Sequence, residues 1–248
     1  MPSWDLNILV KPRKCYNVKA IIKGFLSREK NIIPKYHVVL VKMKFQQMGS
    51  KSSSNFVYII MDEGTKEAAV IDPSGSVKDI VAILKAWGAT LKYVVHTHGH
   101  GDHTGGTQGL IAQCGGKLVA HPSSPMHPAL PVRNNERLYL GKTDLLFLNT
   151  PGHSYDSICM AAGKYLFTGD TLFIDECGYA EQVGGDSALM WDSIFNRILK
   201  LDDDYIICPG HDLKASAKKT DTLGNQRKSN YALKPRTKDE FRAFMMSA

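Results

Sequence analysis

Apolar positions along the chain fall into two recurring patterns. Short β-rich runs cover residues 56–61, 68–71, 91–95, 117–120, 144–148, 157–161, 164–168 and 205–208. Between several of them the apolar residues recur at steps of three and four, the period of a helix with one buried face. Over 77–87 the stripe is Ile80, Val81, Leu84 and Trp87; Ser76 with Asp79 three residues on opens it as a capping box, and Gly88 stops it. Further helices are predicted over 107–114, ending at Gly115-Gly116, over 187–199 with Leu189, Ile194, Ile198 and Leu199 facing inward, and over 238–245, opened by Thr237 and Glu240. The turns Asp62-Glu63-Gly64 and Ala162-Gly163 each join two β-rich runs as a hairpin. Residues 121–131 hold four prolines and read as a surface loop.

The two halves follow one plan. In each, a hairpin leads to an aspartate at a strand end (Asp72, Asp170), then to a helix, then to another buried strand. That repetition predicts an α/β protein built as an αββα sandwich, two facing mixed β-sheets with helices on their outer faces. The pattern starts near Met43, so the main folded domain is expected over 43–248. Residues 1–42 form a separate N-terminal extension, with β-like runs at 8–10 and 36–41 and a helix at 18–25.

Composition narrows the class. Of the 248 residues, 43% are hydrophobic and 22% charged, as in ordinary soluble domains. No apolar run reaches the roughly 18 residues a membrane helix needs, and the N-terminus lacks the pattern of a signal peptide. The five cysteines (15, 114, 159, 177 and 208) are odd in number and widely spaced. Reduced thiols and a cytoplasmic location are therefore expected. The net charge of +7 is uneven: residues 1–51 carry +9 and the remainder −2. We read the basic segment as a solvated lysine-rich edge, and a nucleic-acid partner is not expected.

Chemistry concentrates after the strand at 91–95. Residues 96–103 hold four histidines, His96, His98, His100 and His103, with Asp102 among them. Imidazole and carboxylate are the ligands of zinc, and they also suit iron and manganese. His98 and His100 sit two apart and point the same way in extended chain. His96 lies one step outside this pattern and reads as a strand-end residue or one that orients a ligand. Three more strand ends carry donors of the same type: His153 after Pro151-Gly152, Asp170 after Gly169, and His211 after Pro209-Gly210. His121 and His127 fall in the proline-rich loop and read as solvent-facing. Cys177 and Cys208 read as small buried residues.

The spacing His98-x-His100-x-Asp102-His103, followed in order by His153, Asp170 and His211, resembles the ligand signature of the metallo-β-lactamase superfamily. Thr168-Gly169-Asp170-Thr171-Leu172-Phe173, Cys177-Gly178 and the segment from Thr222 to Arg236 are similar to the glyoxalase II and persulfide dioxygenase branch. The resemblance implies two divalent metal ions, zinc first, with iron or manganese as the other candidates. His98, His100 and His153 would hold one ion, Asp102, His103 and His211 the other, and Asp170 would bridge them. It implies a hydrolase acting on a small-molecule thioester of the hydroxyacyl-thiol type through a metal-bound hydroxide, with Asp102 and Asp170 as the catalytic carboxylates. Asp72 would be structural or would orient a ligand. A mononuclear Fe(II) persulfide dioxygenase is the alternative, and a nuclease of the same fold ranks below both. The chain departs from the branch at Tyr179 and at Ser154-Tyr155-Asp156. These positions lie beside the expected site, so Tyr179 and Tyr155 are the candidate substrate contacts.

Overall fold

The computed structural model describes residues 42–49, 54–180, 183–211 and 220–247. The extension expected over 1–42 lies outside them except for Lys42. Twelve strands form two six-stranded sheets among the described residues. The first holds β1 (Met43–Gly49), β2 (Phe56–Asp62), β3 (Glu67–Ile71), β4 (Thr90–Val95), β5 (Lys117–Ala120) and β6 (Leu130–Pro131), in that order. The second holds β7 (Arg137–Leu140), β8 (Thr143–Asn149), β9 (Ile158–Ala162), β10 (Tyr165–Gly169), β11 (Ile206–Pro209) and β12 (Asp221–Thr222), also in chain order. Helices α1 (Val77–Trp87), α2 (Gly101–Thr104) and α3 (Thr107–Cys114) belong to the first half. Helices α4 (Ser187–Asn196), α5 (Leu223–Ser229) and α6 (Lys238–Met246) belong to the second.

Strand alternation sorts the side chains into three apolar layers. In β2 every residue is buried because both of its faces are covered. Phe56, Tyr58 and Ile60 face the other sheet and pack with Phe147, Met160 and Phe167. Val57, Ile59 and Met61 point the opposite way, onto Ile80 and Leu84 of α1 and Leu110 of α3. The outer face of the second sheet carries Cys159, Leu166 and Ile207, and these pack on Met190 and Ile194 of α4 and Phe241 of α6. The expected sandwich is therefore present, with its helices outside. Phe167 is fully buried in the middle layer, edge-on to Tyr58 with ring centroids 5.2 Å apart. Phe167→Ala is expected to cost about 3–5 kcal/mol in urea unfolding. It should leave metal binding by the folded chain unchanged.

The repeated plan fixes where loops gather. In each half a hairpin (β2–β3, β9–β10) is followed by a crossover helix and a parallel partner strand, β3 with β4 and β10 with β11. Both crossovers bring strand carboxyl ends to one edge of the sandwich, where open α/β sheets place ligands. The sheets meet there: Phe56 N donates to Gly210 O at 2.8 Å, and Asn55 bridges to His211. At the opposite edge Asp62, 3% exposed, clasps the halves by accepting from Thr65 N, Lys142 N and Thr143 Oγ1.

Several local expectations shift. The helix predicted over 187–199 ends at Asn196, and a 3-10 turn follows at Ile198–Lys200. Asp186 caps it, and the buried face is Met190, Ser193 and Ile194; Leu189 is only half-buried. The second hairpin lies one residue later than predicted, because Gly163 supplies the left-handed turn position. The proline-rich loop ends in β6, and β7 adds a strand beyond those predicted; both are short edge strands, of two and four residues. Helix α2 is a single turn that carries Asp102 and His103.

Candidate metal centre

All seven predicted donors converge at the edge where the strand ends gather. His98, His100, Asp102 and His103 come from the loop after β4 and from α2. His153 follows β8, Asp170 follows β10 and His211 follows β11. Donor atoms form three overlapping sets, each within 4.8 Å: His98 with His100 and His153; Asp102 with His103 and His211; and His98 with His103 and Asp170. His100 Nδ1 lies 3.0 Å from both His98 Nε2 and His153 Nε2. On the other side His103 Nε2 and His211 Nε2 are 3.0 Å apart. Asp170 sits between the groups, with Oδ1 3.4 Å from His103 Nε2 and Oδ2 3.2 and 3.5 Å from the Nε2 atoms of His211 and His153.

What aims these rings inward is the hydrogen bonding of their outer nitrogens. His153 Nδ1 donates to Tyr179 O at 2.7 Å, and His103 Nδ1 donates to Asp72 Oδ2 at 3.1 Å. Thr97 Oγ1 gives its proton to Asp72 Oδ2 at 2.7 Å and lies 3.1 Å from His98 Nδ1, so it accepts from that ring. His211 Nδ1 is 3.1 Å from Ser54 Oγ. With Nδ1 engaged in all four, the Nε2 atoms face the centre. His100 alone presents Nδ1.

The metal-free electrostatics are those of a site built for cations. Burial raises the cost of a charge on Asp170, yet hydrogen bonding to His103 and His211 outweighs it and holds this carboxyl well below the usual range. Burial also disfavours a proton on His103, but Asp170 and Asp72 reverse the balance and lift its pKa well above the ordinary imidazole value. His98 goes the other way: burial and the charge on His103 push it well down. Asp170 Oδ1 is buried and makes no hydrogen bond among the described residues. A β-carbon on Gly210 would lie 2.2 Å from that oxygen, so only glycine leaves it room. A buried carboxylate with imidazole nitrogens from three loops 3.2–3.5 Å away is a donor set that fits a divalent cation of the zinc type.

Other sequence candidates land outside this ring. His96 is fully buried between β4 and α3, with Nε2 2.6 Å from Thr107 Oγ1. His121 is half-buried and bonded to Asn149, not solvent-facing as expected, because the loop folds its ring against β8. His127 is exposed. Cys177 and Cys208 are buried free thiols, and burial pushes the Cys177 pKa up to about 12. Tyr155 and Tyr179 expose 61% and 48% of their surface on the two loops flanking His153.

Asn55 was missed. Its Nδ2 donates to Asp102 O at 3.0 Å and to Asp102 Oδ2 at 3.2 Å. A signal existed: in the hairpin β2–β3 the residue before β2 must lie beside the end of β3, where Asp72 stands.

Residues 51–211 match the metallo-beta-lactamase superfamily model, and the chain belongs to that superfamily. A hydroxyacylglutathione hydrolase from Polaromonas sp. is 37% identical over 166 residues, 64% of this chain. The chain spans 62% of that relative's length. A probable polyketide biosynthesis zinc-dependent hydrolase, PksB of Bacillus subtilis, is 29% identical over 71% of this chain and 79% of its own. Among solved structures, ETHE1 from Myxococcus xanthus superimposes with a TM-score of 0.78 at 27% identity, over 82% of this chain and 90% of that one. No helix among the described residues is long and apolar enough to cross a membrane.

Proposed function

We propose that this protein is a metal-dependent hydrolase of small-molecule thioesters, holding two divalent ions, zinc first. His98, His100 and His153 take one ion, Asp102, His103 and His211 the other, and Asp170 is shared. The observation that carries this reading is the set of three overlapping donor groups with Asp170 between them. A shared anion is what two ions 3.5–4 Å apart require. When bound, such ions supply Lewis acidity and a hydroxide nucleophile at neutral pH. The chain's own part is to keep the rings aimed, through Asp72, Thr97 and the Tyr179 carbonyl. Asn55 does the same for Asp102, which is the most exposed of the donors. Tyr155 and Tyr179 stand where a substrate would rest against the His153 edge. The named relatives support the thioester class, since one is called a hydroxyacylglutathione hydrolase and another a zinc-dependent hydrolase.

Elemental analysis beside a thioester panel tests this. Two metals per chain with thioester turnover is the expected result, and His98→Ala should abolish turnover and lower metal content. A second reading is oxidation of a persulfide at a single iron held by two histidines and one carboxylate. The approach of His153 Nε2 to Asp170 Oδ2, with His98 on the same side, favours it. One iron per chain and oxygen uptake on a persulfide, with no hydrolysis, would establish it instead.

A further inference from the structure

Two buried amides in the C-terminal segment hold the 173–179 loop, which lies against the centre. Gln226 is fully buried and Asn230 is 2% exposed. Asn230 Nδ2 donates to Phe173 O at 3.2 Å and Glu176 O at 3.0 Å, and its Oδ1 accepts from Ala232 N at 2.9 Å. Gln226 Oε1 accepts from Asp175 N at 2.7 Å and from Asn230 Nδ2 at 3.1 Å. Its Nε2 donates to Asp175 Oδ1 and Asp221 Oδ2, both at 3.2 Å. Asp175 has φ of 61°, a left-handed conformation that a non-glycine residue keeps only when its surroundings impose it. Phe173 N donates to Glu176 O at 3.0 Å and closes the turn the amides grip.

The gripped loop reaches three of the proposed donors. At its start the Phe173 ring stands edge-on to His211, with centroids 5.9 Å apart. Gly178 lies against Asp170, where a β-carbon would come 1.8 Å from the Asp170 carbonyl oxygen. Just beyond, the Tyr179 carbonyl accepts from His153 Nδ1. Position and ring orientation of His153 and His211 therefore depend on where this loop sits, and the amides determine that.

We propose that Gln226 and Asn230 form an amide latch that positions the 173–179 loop and thereby sets metal retention at the centre; this rests on the metal-binding reading above. Both are positioning residues and touch no donor themselves. The test uses full-length chain loaded with zinc, with zinc per chain after dialysis and affinity from competition against a chromogenic chelator. Asn230→Asp keeps the cap on Ala232 and removes the bonds Nδ2 donates to Phe173, Glu176 and Gln226; Gln226→Ala removes both of its own bonds to Asp175, leaving that from Ser229 Oγ. Ile194→Val, in the apolar layer behind the same loop, controls for lost stability. Both latch variants should bind zinc about 10–100-fold more weakly. The control should keep wild-type affinity even where its melting temperature falls as far. Wild-type zinc affinity in both latch variants overturns the latch while leaving the centre intact. A wild-type chain that takes up no zinc overturns the metal reading itself, and the latch with it.

Discussion

Asp170→Asn is expected to reduce thioester turnover roughly a thousandfold or more and to lower metal content below two ions per chain. The substitution preserves shape and removes charge. Asp170 is 8% exposed, and its two oxygens face three imidazole nitrogens from different strand ends. An amide there offers one neutral oxygen and turns N–H donors toward rings that must present lone pairs. Charge stabilisation by a metal centre amounts to several kcal/mol in the transition state. At about 1.36 kcal/mol per decade that corresponds to roughly a thousandfold. Thiol release measured with a chromogenic reagent, paired with elemental analysis of the same sample, checks both halves. A variant that keeps two metals and a normal rate would show that the shared carboxylate is not needed.

Much of the fold was legible because its strands are covered on both faces. Such strands are continuous apolar runs, and β2 and β11 announce themselves that way. Helices α1 and α3 were bounded to the residue by Ser76, Gly88 and Gly115, whose roles are local. Edge strands β6 and β7 carry no such signal: they are two and four residues long, too short for a run, although β7 pairs with β8 directly across Gly141-Lys142. Leu189 was misplaced for a different reason. Apolarity alone did not reveal that the Asp186 cap sets the phase of α4, nor that Met190 packs on Gly152, where a β-carbon would come 2.4 Å from the Met190 Cα.

The seven residues that converge were visible because imidazoles and carboxylates are chemically conspicuous at strand ends. What holds them was visible only in part. Asp72 could be read as an orienting group from its strand-end position. The Tyr179 carbonyl could not, because a backbone oxygen looks the same at every residue. Thr97 and Ser54 are ordinary in sequence and acquire a role only when β4 and β2 are set beside Asp72 and His211. Gln226 and Asn230 lie in a segment whose likeness to the branch was plain, but nothing in the sequence linked them to a loop some fifty residues earlier.

Asp72→Asn tests whether that supporting layer matters as much as the donors. Asp72 has φ of 49°, which asparagine tolerates well, so the backbone should survive the change. Its carboxylate accepts from Thr97 N at 2.8 Å, Thr97 Oγ1 at 2.7 Å and His103 Nδ1 at 3.1 Å, all in buried surroundings. An amide nitrogen would confront two of these donors with a third. The metal-free chain is expected to lose about 1–3 kcal/mol, the penalty for a buried polar group left without a partner. Zinc affinity should fall about 10–100-fold as His98 and His103 lose their alignment. The loss in stability depends on pH in a defined direction. In the folded metal-free chain the His103 pKa stands above its ordinary value near 6.5, with Asp72 among the causes. The stability this pair contributes is fully present below about pH 6.5 and disappears as pH rises through the raised folded value. Wild type and Asp72→Asn should therefore differ most in mildly acidic solution, and in alkali the gap should narrow to the pH-independent cost of the disturbed Thr97 bonds. Coordination requires His103 without its proton, so zinc affinity of the wild type should climb across the same window. Urea unfolding of the metal-free proteins at several pH values separates this account from a fixed packing defect, whose cost would not vary with pH.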